Sequence, residues 1–192
     1  MRRVTVGAGA LLLCGLVLSG CVQTPEPSPT PTPERTFECT PEAGGDAYPC
    51  DQTEYDRMNA RLDQYREAER IYRRVTEITF ALLAEKKPMS DELRALVSGS
   101  YEDGLAQELV DAQSSKAAYS GQPTIAWIYR APDIANEGSV IAIEACSEVS
   151  SLRVTLDGVD IPLPATQEQL FFTVKEGSLL LTSSKVAEVE KC

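Results

Sequence analysis

The sequence predicts an α+β domain in which helices come first and an antiparallel sheet second. Three observations carry this. From Thr53 to about Glu85, apolar residues recur at spacings of three and four, the period of a helix with one buried stripe. After Pro123 the period changes to two, the mark of strands with alternating faces. Tight-turn signals at Asp157-Gly158 and Glu176-Gly177 then join neighbouring strands, so the pairing is antiparallel. A run of helices followed by a run of strands places the helices on one face of the sheet.

In chain order, the first feature is an export signal. Arg2 and Arg3 precede an apolar run from Val4 to Val17 and the small-residue stretch Leu18-Ser19-Gly20-Cys21. This is the charged, apolar and cleavage-site pattern of a secretory signal peptide. The last four residues resemble a bacterial lipobox. That resemblance implies cleavage after residue 20 and a diacylglycerol on Cys21, with an ordinary signal peptide and an incidental Cys21 as the alternative. The apolar run is shorter than the roughly 20 residues needed to cross a bilayer. One acyl chain holds only marginally, at about 0.8 kcal/mol per buried methylene, whereas two or three hold firmly. The expected location is therefore the extracytoplasmic face of the cell membrane, with the membrane itself as a partner through the anchor.

Residues 22–38 read as a tether. Thr24 to Pro33 has proline at almost every second position, which favours extended polyproline II and a reach of up to about 50 Å. An SH3-type ligand is the competing reading, but such partners are not expected outside the membrane. Residues 21–52 are taken as lipidated cysteine, tether and a short disulfide loop, and residues 53–192 as the α+β domain.

The helix from Thr53 to about Glu85 carries Tyr55, Met58, Leu62, Tyr65, Tyr72, Val75, Ile78 and Leu82 on its stripe, with a gap at Glu69. Its first half is heavily charged, so only the second half should be deeply buried. At about 50 Å it outreaches a small domain and should break or project at its N-terminal end. Lys86-Lys87-Pro88 stops it. Ser90 caps a short helix through about Val97, which Gly99 ends. A third helix runs from Tyr101 to about Ala117, with Tyr101, Leu105, Leu109 and Ala112 as its stripe. Gly121-Gln122-Pro123 then punctuates the chain. Strands follow at Thr124 to Arg130, Ser139 to Cys146, Leu152 to Leu156, Gln169 to Lys175 and Ser178 to Val189. Ile125, Trp127 and Tyr129 are expected on one face of the first. Val140, Ala142, Glu144 and Cys146 share one face of the second; Ile141, Ile143 and Ala145 share the other.

Composition excludes several functions. The chain has no histidine, which removes a Ser-His-Asp or Cys-His arrangement, an imidazole base and the commonest metal ligand. No D-x-D-x-D-G loop suggests calcium. No metal and no cofactor is expected. Among 192 residues, 18 are basic and 29 acidic; without Arg2 and Arg3 there remain 16 against 29, a formal charge of −13. Such a chain repels nucleic acid, which is not expected as a partner. Of six cysteines, Cys14 lies in the signal and Cys21 at the lipobox. Four remain in an oxidising setting, and they allow three connectivities. The short loop between Cys39 and Cys50, with Gly44-Gly45 and Pro49, favours that pair, leaving Cys146 with Cys192 to tie two strands. A redox or zinc role is the alternative, though no C-x-x-C occurs.

The strand Val140-Ile-Ala-Ile-Glu-Ala-Cys146, the polar bend Ser147-Glu148 and the run to Leu156-Asp157-Gly158 resemble small actinobacterial lipoproteins with an NTF2-like (SnoaL/ketosteroid-isomerase) cone domain. Glu148 stands where that pattern usually has Asp, and Ser178 to Leu181 lacks its frequent Trp. The resemblance implies helices on a curved antiparallel sheet enclosing a pocket. Tyr72, Tyr101, Trp127, Tyr129 and Glu144 are the candidate lining, with core packing of the aromatics and a rim position for Glu144 as the alternative. The ketosteroid-isomerase branch works with a carboxylate base and a Tyr-plus-acid oxyanion hole; the SnoaL branch uses a His-containing pair, which cannot exist here. The fold alone names no activity. The leading expectation is a non-catalytic, anchored binding module for a small ligand or a cell-envelope protein, with no catalytic residue assigned. A carboxylate-dependent isomerase or hydrolase and a prophage-type exclusion factor are the alternatives.

Overall fold

The computed structural model describes residues 35–192. The expected signal sequence, the expected lipidation site Cys21 and most of the expected proline tether lie outside the described residues. Within them, a long helix lies over a four-stranded antiparallel sheet, and a three-stranded sheet and a two-stranded hairpin complete the unit.

The hairpin of β1 (Phe37–Cys39) and β2 (Tyr48–Cys50) was not expected from the sequence, since three-residue strands leave too little pattern to read. It is closed by the Cys39–Cys50 disulfide, the pair favoured by loop length. It rests on the start of the long helix. Phe37 stacks on Tyr55 with ring centroids 4.9 Å apart. Glu42, in the hairpin loop, accepts from Arg61 at 2.8 Å and from the Tyr65 hydroxyl.

Helix α1 (Gln52–Glu85) is unbroken over 34 residues. Asp51 caps it by accepting from the Glu54 amide at 2.8 Å. Lys86 closes it in the left-handed region at φ 51°, its amide donating to the Leu82 and Leu83 carbonyls. The expected break does not occur, because the β1–β2 hairpin supports the end that would otherwise project. All its buried residues, from Tyr65 to Leu83, fall in the second half or at its border. That half meets Ile141, Ile143, Ala145, Leu170, Phe172 and Leu181 of the sheet, and these residues form the main core.

Helix α2 (Asp91–Arg94) is capped by Ser90 and shorter than expected. The following residues leave the helix to pair with a strand: the Leu181 amide donates to the Leu96 carbonyl at 3.0 Å and the Ser98 amide to the Leu181 carbonyl at 2.9 Å. Helix α3 (Gly99–Ser114) starts at the glycine expected to end its predecessor. Gly99 has φ +61°, and a side chain there would press on the Thr182 carbonyl, so the turn into α3 needs glycine.

The four-stranded sheet has the order β4-β5-β8-β9, from β4 (Thr124–Arg130), β5 (Ile141–Glu148), β8 (Ala165–Lys175) and β9 (Ser178–Val189). The three-stranded sheet has the order β3-β6-β7, from β3 (Ala117–Ser120), β6 (Arg153–Leu156) and β7 (Val159–Ile161). β3 replaces the expected last turn of α3. Cys146 of β5 is bonded to Cys192, which lies across the outer face of the sheet. Trp127 Nε1 donates to the Cys192 carbonyl at 3.4 Å over the same bond. No helix among the described residues is long and apolar enough to cross a membrane.

Candidate functional site

A cavity of about 680 Å³ opens between α1, α3, the β3-β6-β7 sheet and the ends of β8 and β9. Helical spacing supplies two walls. Tyr72, Val75, Thr76 and Thr79 recur at three and four along α1, and Tyr101, Leu105 and Glu108 do so along α3. Strand register supplies the third. Ala145 pairs with Glu168 and Glu168 with Val186, so Glu168 shares the helix-facing side with Ala145 and projects into the cavity.

The polar floor is a short chain of hydrogen bonds. The Tyr72 hydroxyl donates to Glu168 Oε1 at 3.2 Å and lies 3.3 Å from Ser147 Oγ, from which it accepts. Thr76 Oγ1 donates to the Tyr72 carbonyl at 2.9 Å. Thr79 Oγ1, in the same wall, is buried and has no partner among the described residues.

The electrostatics run one way. Among the lining residues are three carboxylates, Glu108, Glu168 and Glu188, and no basic side chain. Burial pushes Glu168 above its ordinary range and the negative charge of Glu108 adds to this, against the Tyr72 hydrogen bond. Desolvation by neighbouring atoms also raises Glu108, although its side chain is exposed. Burial first, and the charge of Glu168 second, hold the Tyr72 and Tyr101 phenols well above theirs. The phenols are therefore neutral donors, and burial favours the protonated form of Glu168.

Of the expected lining, Tyr72 and Tyr101 are present and Trp127, Tyr129 and Glu144 are not. Two strand features explain the correction. On β5, Ile141, Ile143 and Ala145 enter the core, which turns Glu144 to the outer face, where it accepts from Gln169 at 3.0 Å. On β4, a bulge at Ala126 resets the alternation. Ile125 and Ile128 then pack against the core, while Trp127 and Tyr129 stack on the outer face with centroids 4.8 Å apart.

Glu108 and Glu168 are absent from the sequence reading. Each is one charged residue in an amphipathic element, and only tertiary packing brings α3 and β8 together. The signal available was phase: Glu108 falls three residues after Leu105 and one before Leu109, at the edge of the buried stripe. No group of three His, Cys, Asp or Glu among the described residues is arranged to hold a metal ion. Comparison of the chain with protein-family models, with curated proteins and with solved structures finds no match.

Proposed function

We propose that this protein is an extracytoplasmic lipoprotein whose NTF2-like domain binds a small molecule in the cavity between α1, α3 and β8. The observation that carries the reading is the cavity itself, with its apolar walls, a few converging polar groups and a volume of about 680 Å³. Small-molecule sites are typically concave, mostly apolar and roughly 300–1,000 Å³ in volume. The helices over an antiparallel sheet support the NTF2-like assignment. The lipobox Leu18 to Cys21 supports the anchor, and two disulfides are compatible with an oxidising compartment.

A second reading has its own observation. Glu168, raised by burial and touching the Tyr72 hydroxyl, has the attributes of a general acid or base beside a phenol donor. An isomerase or hydrolase using that carboxyl is the alternative. Native mass spectrometry of the lipoprotein extracted gently from membranes separates the two. A binding module retains a small molecule that leaves it chemically unchanged on incubation. Release of a converted product, abolished by Glu168→Gln, would replace the binding reading with the catalytic one.

A further inference from the structure

We infer that the cavity selects organic cations: a protonated amine on an apolar body, with the ammonium at Glu168 and the Tyr72 hydroxyl. This rests on the binding reading above and names the class of ligand that the site would take.

The cavity lining is unbalanced in charge. Glu168 from β8 lies half-buried in the cavity, Glu108 from α3 and Glu188 from β9 line it from exposed positions at its edge, and the lining among the described residues contains no Lys or Arg to neutralise them. Charged groups in a partly dry cavity need a partner of opposite sign or must give up their charge. The structure supplies phenols and no cation. Tyr72 donates one hydrogen bond to Glu168, and the rest of that carboxyl has no further hydrogen-bond donor among the described residues. An ammonium donates three hydrogen bonds and carries the missing charge.

The second observation is independent of the carboxylates. Thr79 Oγ1 is buried, lies in the cavity wall and has no hydrogen-bond partner among the described residues. A buried hydroxyl is rarely left unsatisfied, and this one, on a residue of the cavity wall, has hydrogen-bonding capacity open that a donor can fill. An ammonium is donor only, and it suits this hydroxyl as it suits Glu168. Phe80, Tyr101 and Tyr119 add aromatic rings to the same walls, which attract cations through their faces and pack an apolar body by their area. An anionic ligand would meet three carboxylates and no positive partner.

The titratable groups that act on Glu168 are Tyr72 of α1 and Tyr101 and Glu108 of α3, and Tyr119 of β3 and Glu188 of β9 line the same cavity. Burial favours the neutral form of Glu168 in the empty cavity, and an arriving ammonium favours the ionised form.

The test uses three near-isosteric probes with the full-length protein in detergent: 2-(1-naphthyl)ethylamine, 2-(1-naphthyl)ethanol and 1-naphthylacetate. Binding is followed by naphthalene fluorescence. The expected result is that the amine binds at least about tenfold more tightly than the alcohol, and the acid more weakly than either. Glu168→Gln should remove the amine's advantage and leave the alcohol within about twofold, provided the variant melts cooperatively; Glu168→Asp should restore part of it. Equal binding of amine and alcohol to wild type, or tighter binding of the acid, overturns the inference and leaves the cavity as a binding site for another class. Binding of none of the three by wild type overturns the cavity reading and this inference with it.

Discussion

At the scale of single residues, the hydroxyl of Tyr72 and the carboxyl of Glu168 define the floor of the cavity. Tyr72 is almost fully buried, and its hydroxyl serves Glu168 and Ser147 together. Tyr72→Phe should therefore cost about 1–3 kcal/mol in urea unfolding, because two buried polar groups lose a partner while the ring still packs. Glu168 gives a pH signature. Its folded pKa lies above its unfolded value, so its contribution to stability is fully present below the unfolded pKa and is lost as pH rises through the folded one. The stability of wild type relative to Glu168→Gln should fall as pH rises from the ordinary carboxylate range through the raised folded pKa. A constant difference across that window would mean that the carboxyl is not held toward its neutral form. Gly121 is structural. At φ +77° a Cβ would sit 1.9 Å from the Ser151 carbonyl oxygen, so Gly121→Ala should destabilise by more than about 2 kcal/mol.

At the scale of elements, Gly104 of α3 is the contrasting case. It lies on the cavity wall in ordinary helical conformation, and an added Cβ meets nothing within 4 Å. Gly104→Ala should stabilise the domain by about 0.5–1 kcal/mol in thermal or urea unfolding, since a mid-helix glycine costs that much backbone entropy. The two disulfides act on different elements. Cys39–Cys50 closes a separation of 11 residues in the hairpin beneath α1, and Cys146–Cys192 one of 46 across the sheet. Removing them by paired Cys→Ser changes should cost about 3 and about 4 kcal/mol in the chain-entropy description. Where an element was legible, its own pattern sufficed to place its limits: α1, β4 and β9 lie close to their expected ends. Where it was not, a partner decided. β3 exists because Ala117 to Ser120 finds β6, and β7 because Val159 to Ile161 finds the same strand. The bulge at Ala126 belongs to this class, since its sequence has no glycine or proline to mark it. That single extra residue moved Trp127 and Tyr129 out of the site.

At the scale of the whole molecule, the acidic balance is spread unevenly. Most arginines on α1 are already engaged: Arg61 with Glu42, Arg66 with Asp63, Arg70 with Glu67, Arg73 with Glu69 and Arg74 with Glu77 and Glu92. The cavity has carboxylates without such partners. Part of the chain's excess acidity thus lies where a cation would enter the cavity. Cys21→Ala should abolish incorporation of a fatty-acid analogue and release the domain from membranes. Persistence of label would overturn the assignment of the anchor to that cysteine. The most direct measurement of the central claim is a crystal structure of the mature chain grown with 2-(1-naphthyl)ethylamine. Density is expected between α1 and α3, with the amine nitrogen within hydrogen-bond distance of Glu168 and Tyr72. An amine seated instead on the outer face, beside Trp127, Tyr129 and Glu144, with the space between the helices closed by Phe80 and Tyr101, would contradict it.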